Sequence, residues 1–218
     1  MHLKVKAVIF DMDGVITDTM PYHVQVWQDL FIREGVPVTK EDIYKREGQK
    51  GIESLREIFT EYGKPFQESQ AQALLKEKED LFQKVFKRHF IPGALDFIRN
   101  LHAQGFKLAL VTGTSRPEAV KLLPEDIFAL FHATVCGSDV QNGKPHPEPY
   151  LTALAQLGIK ADEAVVIENA PFGIRSAKAA GIRCIGLETS LSQSHLAQAD
   201  VVFQSFAGLN AGVELQHV

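Results

Sequence analysis

The chain is poor in cysteine and tryptophan, carries no excess of positive charge and has no long apolar run. Two cysteines, Cys136 and Cys184, occur in 218 residues, each inside an apolar stretch. They fit buried thiols in a reducing compartment better than a disulfide framework or a zinc site. Lysine and arginine number 23 against 27 aspartates and glutamates, a formal net charge of −4. No basic surplus is therefore available to displace counterions from a nucleic acid. No apolar run approaches the ~20 residues that a membrane span requires. The opening residues Met1-His2-Leu3-Lys4-Val5-Lys6 run on to acid at Asp11 before a secretory apolar region can develop. The expectation is a soluble, cytoplasmic protein without a nucleic-acid or membrane partner. The lone charge run, Lys76-Glu77-Lys78-Glu79-Asp80, alternates in sign and reads as the wet face of a helix.

What the chain does have is an ordinary globular composition, 45% hydrophobic and 23% charged. Short, near-continuous apolar runs recur at Val5–Phe10, Leu108–Val111, Ala133–Cys136, Ala164–Ile167, Cys184–Leu187 and Val201–Phe203. Runs of this kind fit strands buried on both faces. Helical patterns lie between the later ones, at Ala94–Gln104, Arg116–Leu122, Glu148–Leu157 and Phe172–Ala180. Alternation of strand and helix predicts an α/β fold with a Rossmann-like parallel sheet. Residues 17–90 break the rhythm. Val24, Trp27, Leu30 and Phe31 share one helical face, Ile52, Leu55, Ile58 and Phe59 another, and Leu74, Leu75, Leu81, Phe82, Val85 and Phe86 a third. This stretch is expected to be an inserted α-helical domain over 17–90, with hinges near Thr17–Met20 and Phe90–Gly93. Residues 1–16 and 91–218 would form the core.

Polar residues follow the apolar runs. Asp11-Met12-Asp13-Gly14 comes after the first, two carboxylates one residue apart at the mouth of a buried strand. Charges so placed need a cation, a proton or a hydrogen-bond cluster. Thr112-Gly113-Thr114-Ser115 follows the second run, Asn142-Gly143-Lys144-Pro145 the third, and Glu168-Asn169 the fourth. In an open parallel sheet, ligands bind outside the carboxyl ends of the strands where strand order reverses. Asp11, Glu168, Asn169 and the Asp13 carbonyl would offer the hard oxygens that Mg²⁺ prefers. Thr112 with the amides of Gly113 and Thr114 would meet an anion, and Lys144 would add a point charge. Metal-assisted phosphoryl transfer is the chemistry that wants this set.

The segments DMDGVITDT (Asp11–Thr19), TGTS (Thr112–Ser115), GKPHPEP (Gly143–Pro149) and VIENAPFG (Val166–Gly173) carry a resemblance. In that order the chain resembles the haloacid dehalogenase superfamily with a helical cap after the first strand, in its beta-phosphoglucomutase and phosphatase branch. The resemblance implies that Asp11 is the nucleophile, forming an aspartyl-phosphate, and Asp13 the general acid/base. It implies that Thr112, Gly113, Thr114 and Lys144 bind the phosphoryl group, and that Asp11, Asp13, Glu168 and Asn169 hold Mg²⁺. By this reading the metal keeps Asp11 ionised while Asp13 takes a proton.

Dehalogenases and phosphonatases of the superfamily lack the second aspartate, so Asp13 points to phosphate esters. His23 and Lys78 fall on positions that meet substrate in the mutase. Gly51 stands where the mutase carries an arginine and Ser115 where it carries a lysine; Lys50 is a candidate replacement. Asn169 replaces the usual aspartate. The expected activity is a Mg²⁺-dependent phosphatase for a small phosphorylated metabolite, a sugar phosphate among the candidates, in a monomer or weak dimer. A phosphomutase and a non-catalytic phosphate-binding module are the alternatives.

Overall fold

The computed structural model describes residues 1–217. The chain runs β1 (His2–Val5) and β2 (Ala7–Phe10), then α1 (Met20–Arg33), α2 (Lys40–Tyr44), α3 (Gly51–Glu61) and α4 (Glu68–Val85). It continues with α5 (Ala94–Ala103), β3 (Lys107–Val111), α6 (Arg116–Leu122), α7 (Glu125–Phe128), β4 (Ala133–Val135) and α8 (Glu148–Leu157). Last come β5 (Ala164–Glu168), α9 (Pro171–Ala179), β6 (Arg183–Leu187), β7 (Val201–Phe203), α10 (Phe206–Gly212) and β8 (Glu214–His217). Six parallel strands form one Rossmann-like sheet in the order β4-β3-β2-β5-β6-β7.

Alternate residues of each strand serve opposite faces. Val8 and Phe10 of β2 pack with Leu108, Leu110, Val165, Ile167 and the α5 residues Phe97, Ile98 and Leu101. Ala7 and Ile9 pack with Ala109, Val111, Val166 and the α8 and α9 residues Tyr150, Ala153, Ile174 and Ala177. Both faces are covered, so the runs read as continuous rather than alternating. Each fully buried side chain of this size contributes about 1.5–3 kcal/mol of transfer free energy. Both cysteines are buried and unpaired, and burial pushes the Cys136 thiol up to about 11.

The Val5–Phe10 run is two strands. It breaks at Lys6, whose ammonium must reach water and meets Glu163 Oε1 at 2.5 Å. Strand β1 pairs with β8 in a separate two-stranded sheet. Periodicity gave no warning of α2, which a Thr39–Asp42 capping box holds, nor of α7, α10 and β8. Where helix ends carried a signal, as at Gly158 just past α8 with φ +66°, boundaries agree to within a residue.

Between β2 and α5 the chain makes α1 to α4, whose Val24, Leu30, Phe31, Leu55, Ile58, Phe59, Leu74 and Phe82 are buried. The outgoing and returning chains run side by side. Asp18 N–H donates to His89 O (3.0 Å), Ile91 N–H donates to Ile16 O (2.9 Å), and Thr17 bridges to Phe90. No helix among the described residues is long and apolar enough to cross a membrane.

Candidate active site

Strand order reverses at β2, with β3 on one side and β5 on the other, and the polar residues meet at the carboxyl ends of these strands. Lys144, 1% exposed, donates to Asp11 Oδ1 (2.5 Å), Glu168 Oε1 (2.8 Å) and the Val111 carbonyl (3.2 Å). Tyr150 OH also donates to Glu168 Oε1 (3.1 Å), and the Asn169 and Ala170 amides donate to Glu168 Oε2. Both Glu168 oxygens are thus engaged by protein donors. The sequence reading gave Glu168 to the metal; the structure uses its carboxylate to brace Lys144. Gly173 makes this possible, because any Cβ there would overlap the Glu168 carboxylate.

Burial acts on Lys144 to lower its pKa, but the Asp11 and Glu168 charges outweigh it and hold the ammonium charged. Burial raises Asp11 to about 8 against the pull of Lys144, with the Glu168 and Asp13 charges adding to the rise. Asp13 shows the opposite. Burial works to raise it, but His23, Thr19 and Thr114 hydrogen bonds hold it well below the usual carboxylate range. Thr19 Oγ1 and Thr17 Oγ1 donate to Oδ1 and Thr114 Oγ1 donates to Oδ2 (2.9 Å), while His23 Nε2 lies 3.4 Å from Oδ1. Without a cation, then, Asp11 is pushed up and Asp13 held down; the expectation of an ionised Asp11 concerns the metal-bound site. The cause is local: Asp13 has hydroxyl donors on both oxygens, whereas Asp11 Oδ2 is buried with no partner.

The Thr112–Ser115 loop differs in detail from its expected role. Thr112 Oγ1 accepts from the Thr114 amide (3.1 Å), so that amide and the Thr114 hydroxyl are both in use. Thr114 stands here as a support for Asp13. A Cβ on Gly113 would come within 3.0 Å of the Gln49 carbonyl, so glycine lets the Gly48-Gln49 backbone descend onto this loop. Ser115 caps α6 by position, without a side-chain hydrogen bond.

Among the described residues no three His, Cys, Asp or Glu side chains form a ready metal cluster. A mixed set remains. Asp11 Oδ2, Asn169 Oδ1 and Glu47 Oε2 are all buried acceptors with no donor. Asn169 Nδ2 donates to Glu47 Oε1 (2.7 Å) and to Ser190 Oγ (2.8 Å), which fixes the amide with its oxygen free. Burial, with the Asp11, Glu168 and Asp13 charges, pushes Glu47 well above the usual glutamate value. Unpartnered buried oxygens of this kind cost about 1–3 kcal/mol each, and a hard cation is the partner they suit. The residues fit Mg²⁺.

Glu47 belongs to the segment between α2 and α3, and nothing in its spacing singled it out. Gly14, φ +79°, admits it: a Cβ there would press on Asn169 Nδ2, Glu47 Oε1 and Ser190 Oγ.

A cavity of about 140 Å³ opens beside Asp13 and is lined by His23, Trp27, Glu47, Lys78, Ser115 and Glu118 among others. His23 stacks on Phe82 (4.3 Å between centroids) rather than on Trp27, and Lys78 Nζ lies 5.0 Å from the centre of the same ring. Lys50 is elsewhere. Its Nζ donates to the Val140 (2.6 Å) and Gln141 (2.9 Å) carbonyls, tying the helical segment to the Lys144 loop, so it is not a substrate donor here. Gly51 faces the Leu75 side chain.

Residues 8–187 match the profile of the haloacid dehalogenase-like hydrolases. The chain belongs to that family. It is 34% identical over 193 residues to a phosphorylated carbohydrates phosphatase of Thermotoga maritima, covering 86% of this chain and 87% of that one. It is 31% identical to the beta-phosphoglucomutase of Bacillus subtilis over 84% of this chain and 83% of the other. A Bacteroides vulgatus structure provisionally assigned as a beta-phosphoglucomutase superposes with a TM-score of 0.87 at 35% identity, over 96% and 88% of the two chains.

Proposed function

We propose that this family member is a Mg²⁺-dependent phosphatase for small phosphorylated carbohydrates and related metabolites, with residues 17–90 acting as a lid. One observation carries the reading: the Lys144-held Asp11 lies beside a threonine-held Asp13, next to a small roofed cavity. The Thermotoga maritima phosphatase supports the substrate class.

In the first step the Asp11 carboxylate attacks phosphorus, forming an aspartyl-phosphate while the ester P–O bond breaks. Asp13 gives its proton to the departing oxygen. The phosphate charge arriving beside Asp13 raises its pKa, so substrate binding loads the proton that is handed over. In the second step water attacks phosphorus, Asp13 takes the water proton, and the Asp11–phosphorus bond breaks to release phosphate. Lys144 balances charge on the transferring group throughout. Asp11, Asn169, the Asp13 carbonyl and Glu47 would hold Mg²⁺, which when bound neutralises phosphate charge and keeps Asp11 ionised.

Asp11 and Lys144 are each 1% exposed, so no ester can reach them until the helical segment lifts. The paired chains at Thr17 and Phe90 are where it would turn. A phosphatase is favoured over a mutase because Gly51 packs on Leu75 where the mutase carries its arginine, and Arg46, which lines the cavity, is taken up by Glu57 and Glu61.

Asp11→Asn is expected to reduce turnover of phenyl phosphate by at least about a thousandfold with an unchanged circular-dichroism spectrum. Activity near that of the parent protein would overturn the mechanism. Rapid conversion of beta-glucose 1-phosphate to glucose 6-phosphate, primed by the bisphosphate, would replace the phosphatase with the mutase.

A further inference from the structure

Glu118, on the first turn of α6, is buried to 7% exposure and lines the cavity. Its Oε1 has no hydrogen-bond partner. Lys78 lines the same cavity from α4, and its charge acts on Glu118, opposing the rise that burial imposes on the carboxyl. Among the described residues the two form no ion pair: Lys78 lies over the Phe82 ring, while Glu118 lines the cavity from the sheet side with Oε1 unpartnered. Neither has a part in the phosphoryl transfer described above.

A buried acceptor left unsatisfied costs about 1–3 kcal/mol, and a ligand that donates to it recovers that cost. Sites built this way reject analogues lacking the matching group far better than apolar pockets reject an extra methylene. A hydroxyl group donates to a carboxylate and accepts from an ammonium. A ligand carboxylate or second phosphate would bring negative charge against Glu118, with Asp13 and Glu79 adding to the repulsion and Lys78 and Lys121 opposing it; Arg46, which also lines the cavity, is already paired with Glu57 and Glu61. The volume, about 140 Å³, is below the ~300–1,000 Å³ typical of drug-sized sites and suits a leaving group of a few carbons.

We propose that Glu118 is a specificity-determining residue that accepts a hydrogen bond from a hydroxyl of the leaving group. The preferred substrates are then monophosphates of small neutral polyols, not phosphorylated acids or bisphosphates. The inference rests on the phosphatase reading given above.

Glycerol 3-phosphate, phosphoglycolate and phenyl phosphate separate the terms, offering hydroxyls, a carboxylate and neither. Glu118→Ala is expected to lower the ratio of kcat/KM for glycerol 3-phosphate over phenyl phosphate about tenfold. Glu118→Gln retains an oxygen acceptor and loses the charge. It is expected to raise phosphoglycolate relative to glycerol 3-phosphate by a similar factor, with a melting temperature near that of the parent. Ratios within twofold of the parent in both variants would overturn the role of Glu118 while leaving the phosphatase in place. A parent protein that hydrolyses none of the three esters would instead remove the phosphatase reading itself.

Discussion

Lys144 and Lys50 show how differently the sheet edge and the helical segment use the same side chain. Lys144 is buried between two carboxylates, and its hydrogen-bond partners all sit at the ends of β-strands. Lys50 grips two backbone carbonyls across the boundary between the two regions and takes no part in the site. The same contrast separates Glu168, whose oxygens are all engaged by fixed donors, from Glu47, whose Oε2 awaits a partner. The sheet edge holds a preorganised charge network around Lys144 and Glu168, with Asp11 Oδ2 and Asn169 Oδ1 left unpartnered. The helical segment adds Glu47 Oε2 to those open acceptors, which the proposed cation would complete.

If that contrast is right, damage at the sheet edge shows in stability as well as in activity. Lys144→Ala strips Asp11 and Glu168 of their shared cation and leaves buried charge uncompensated. A loss of about 3–5 kcal/mol in denaturant unfolding is expected; a loss below 1 kcal/mol would mean that the network is not preorganised. Damage to the helical segment should appear in ligand binding instead. Glu47→Ala is expected to weaken Mg²⁺ about 10–100-fold by titration calorimetry, with little change in unfolding free energy. EDTA should silence the parent protein and added Mg²⁺ restore it. Unchanged Mg²⁺ affinity would remove Glu47 from the cation site.

A solvent-exposed pair sets the baseline. Asp200 accepts from Lys178 (2.6 and 2.7 Å) and from the Cys184 amide (2.7 Å). Burial opposes these bonds but does not outweigh them, and the carboxyl is held below its ordinary value of 3.8. Its contribution is therefore present above that pH and fades as pH falls through the lower folded value. Asp200→Asn should cost less than about 1 kcal/mol at pH 7, because water screens the pair. The difference in melting temperature from the parent should shrink on acidification. A difference that grew would show that Asp200 is not held ionised by these partners.

Much of the sheet edge was legible from the chain. Apolar runs ending in Asp11, Thr112 and Glu168 located the strand mouths, since a buried strand cannot carry such groups before it surfaces. Even so, the contacts that Thr114 makes to Asp13 and Glu168 to Lys144 were not read from the sequence. A motif supplies neighbours in sequence, while a hydrogen bond depends on donors such as Tyr150 that arrive from a separate helix. Thr17 and Thr19 sat inside the recognised Asp11–Thr19 stretch without a role until the turn after β2 folded their hydroxyls back onto Asp13.

The sequence by itself determined the parallel α/β core, the helical character of 17–90 and the order of the chemical groups, because periodicity and strand-end polarity are local properties. The packing of the folded chain fixed that Glu47 reaches Asn169, that Lys50 faces away, that Glu118 borders the cavity and that Asp13, not Asp11, gathers hydroxyl donors on both oxygens. Those outcomes depend on burial and on donors tens of residues distant. The Asp11-Met12-Asp13 spacing places the two carboxylates side by side; only the packed surroundings make them unequal.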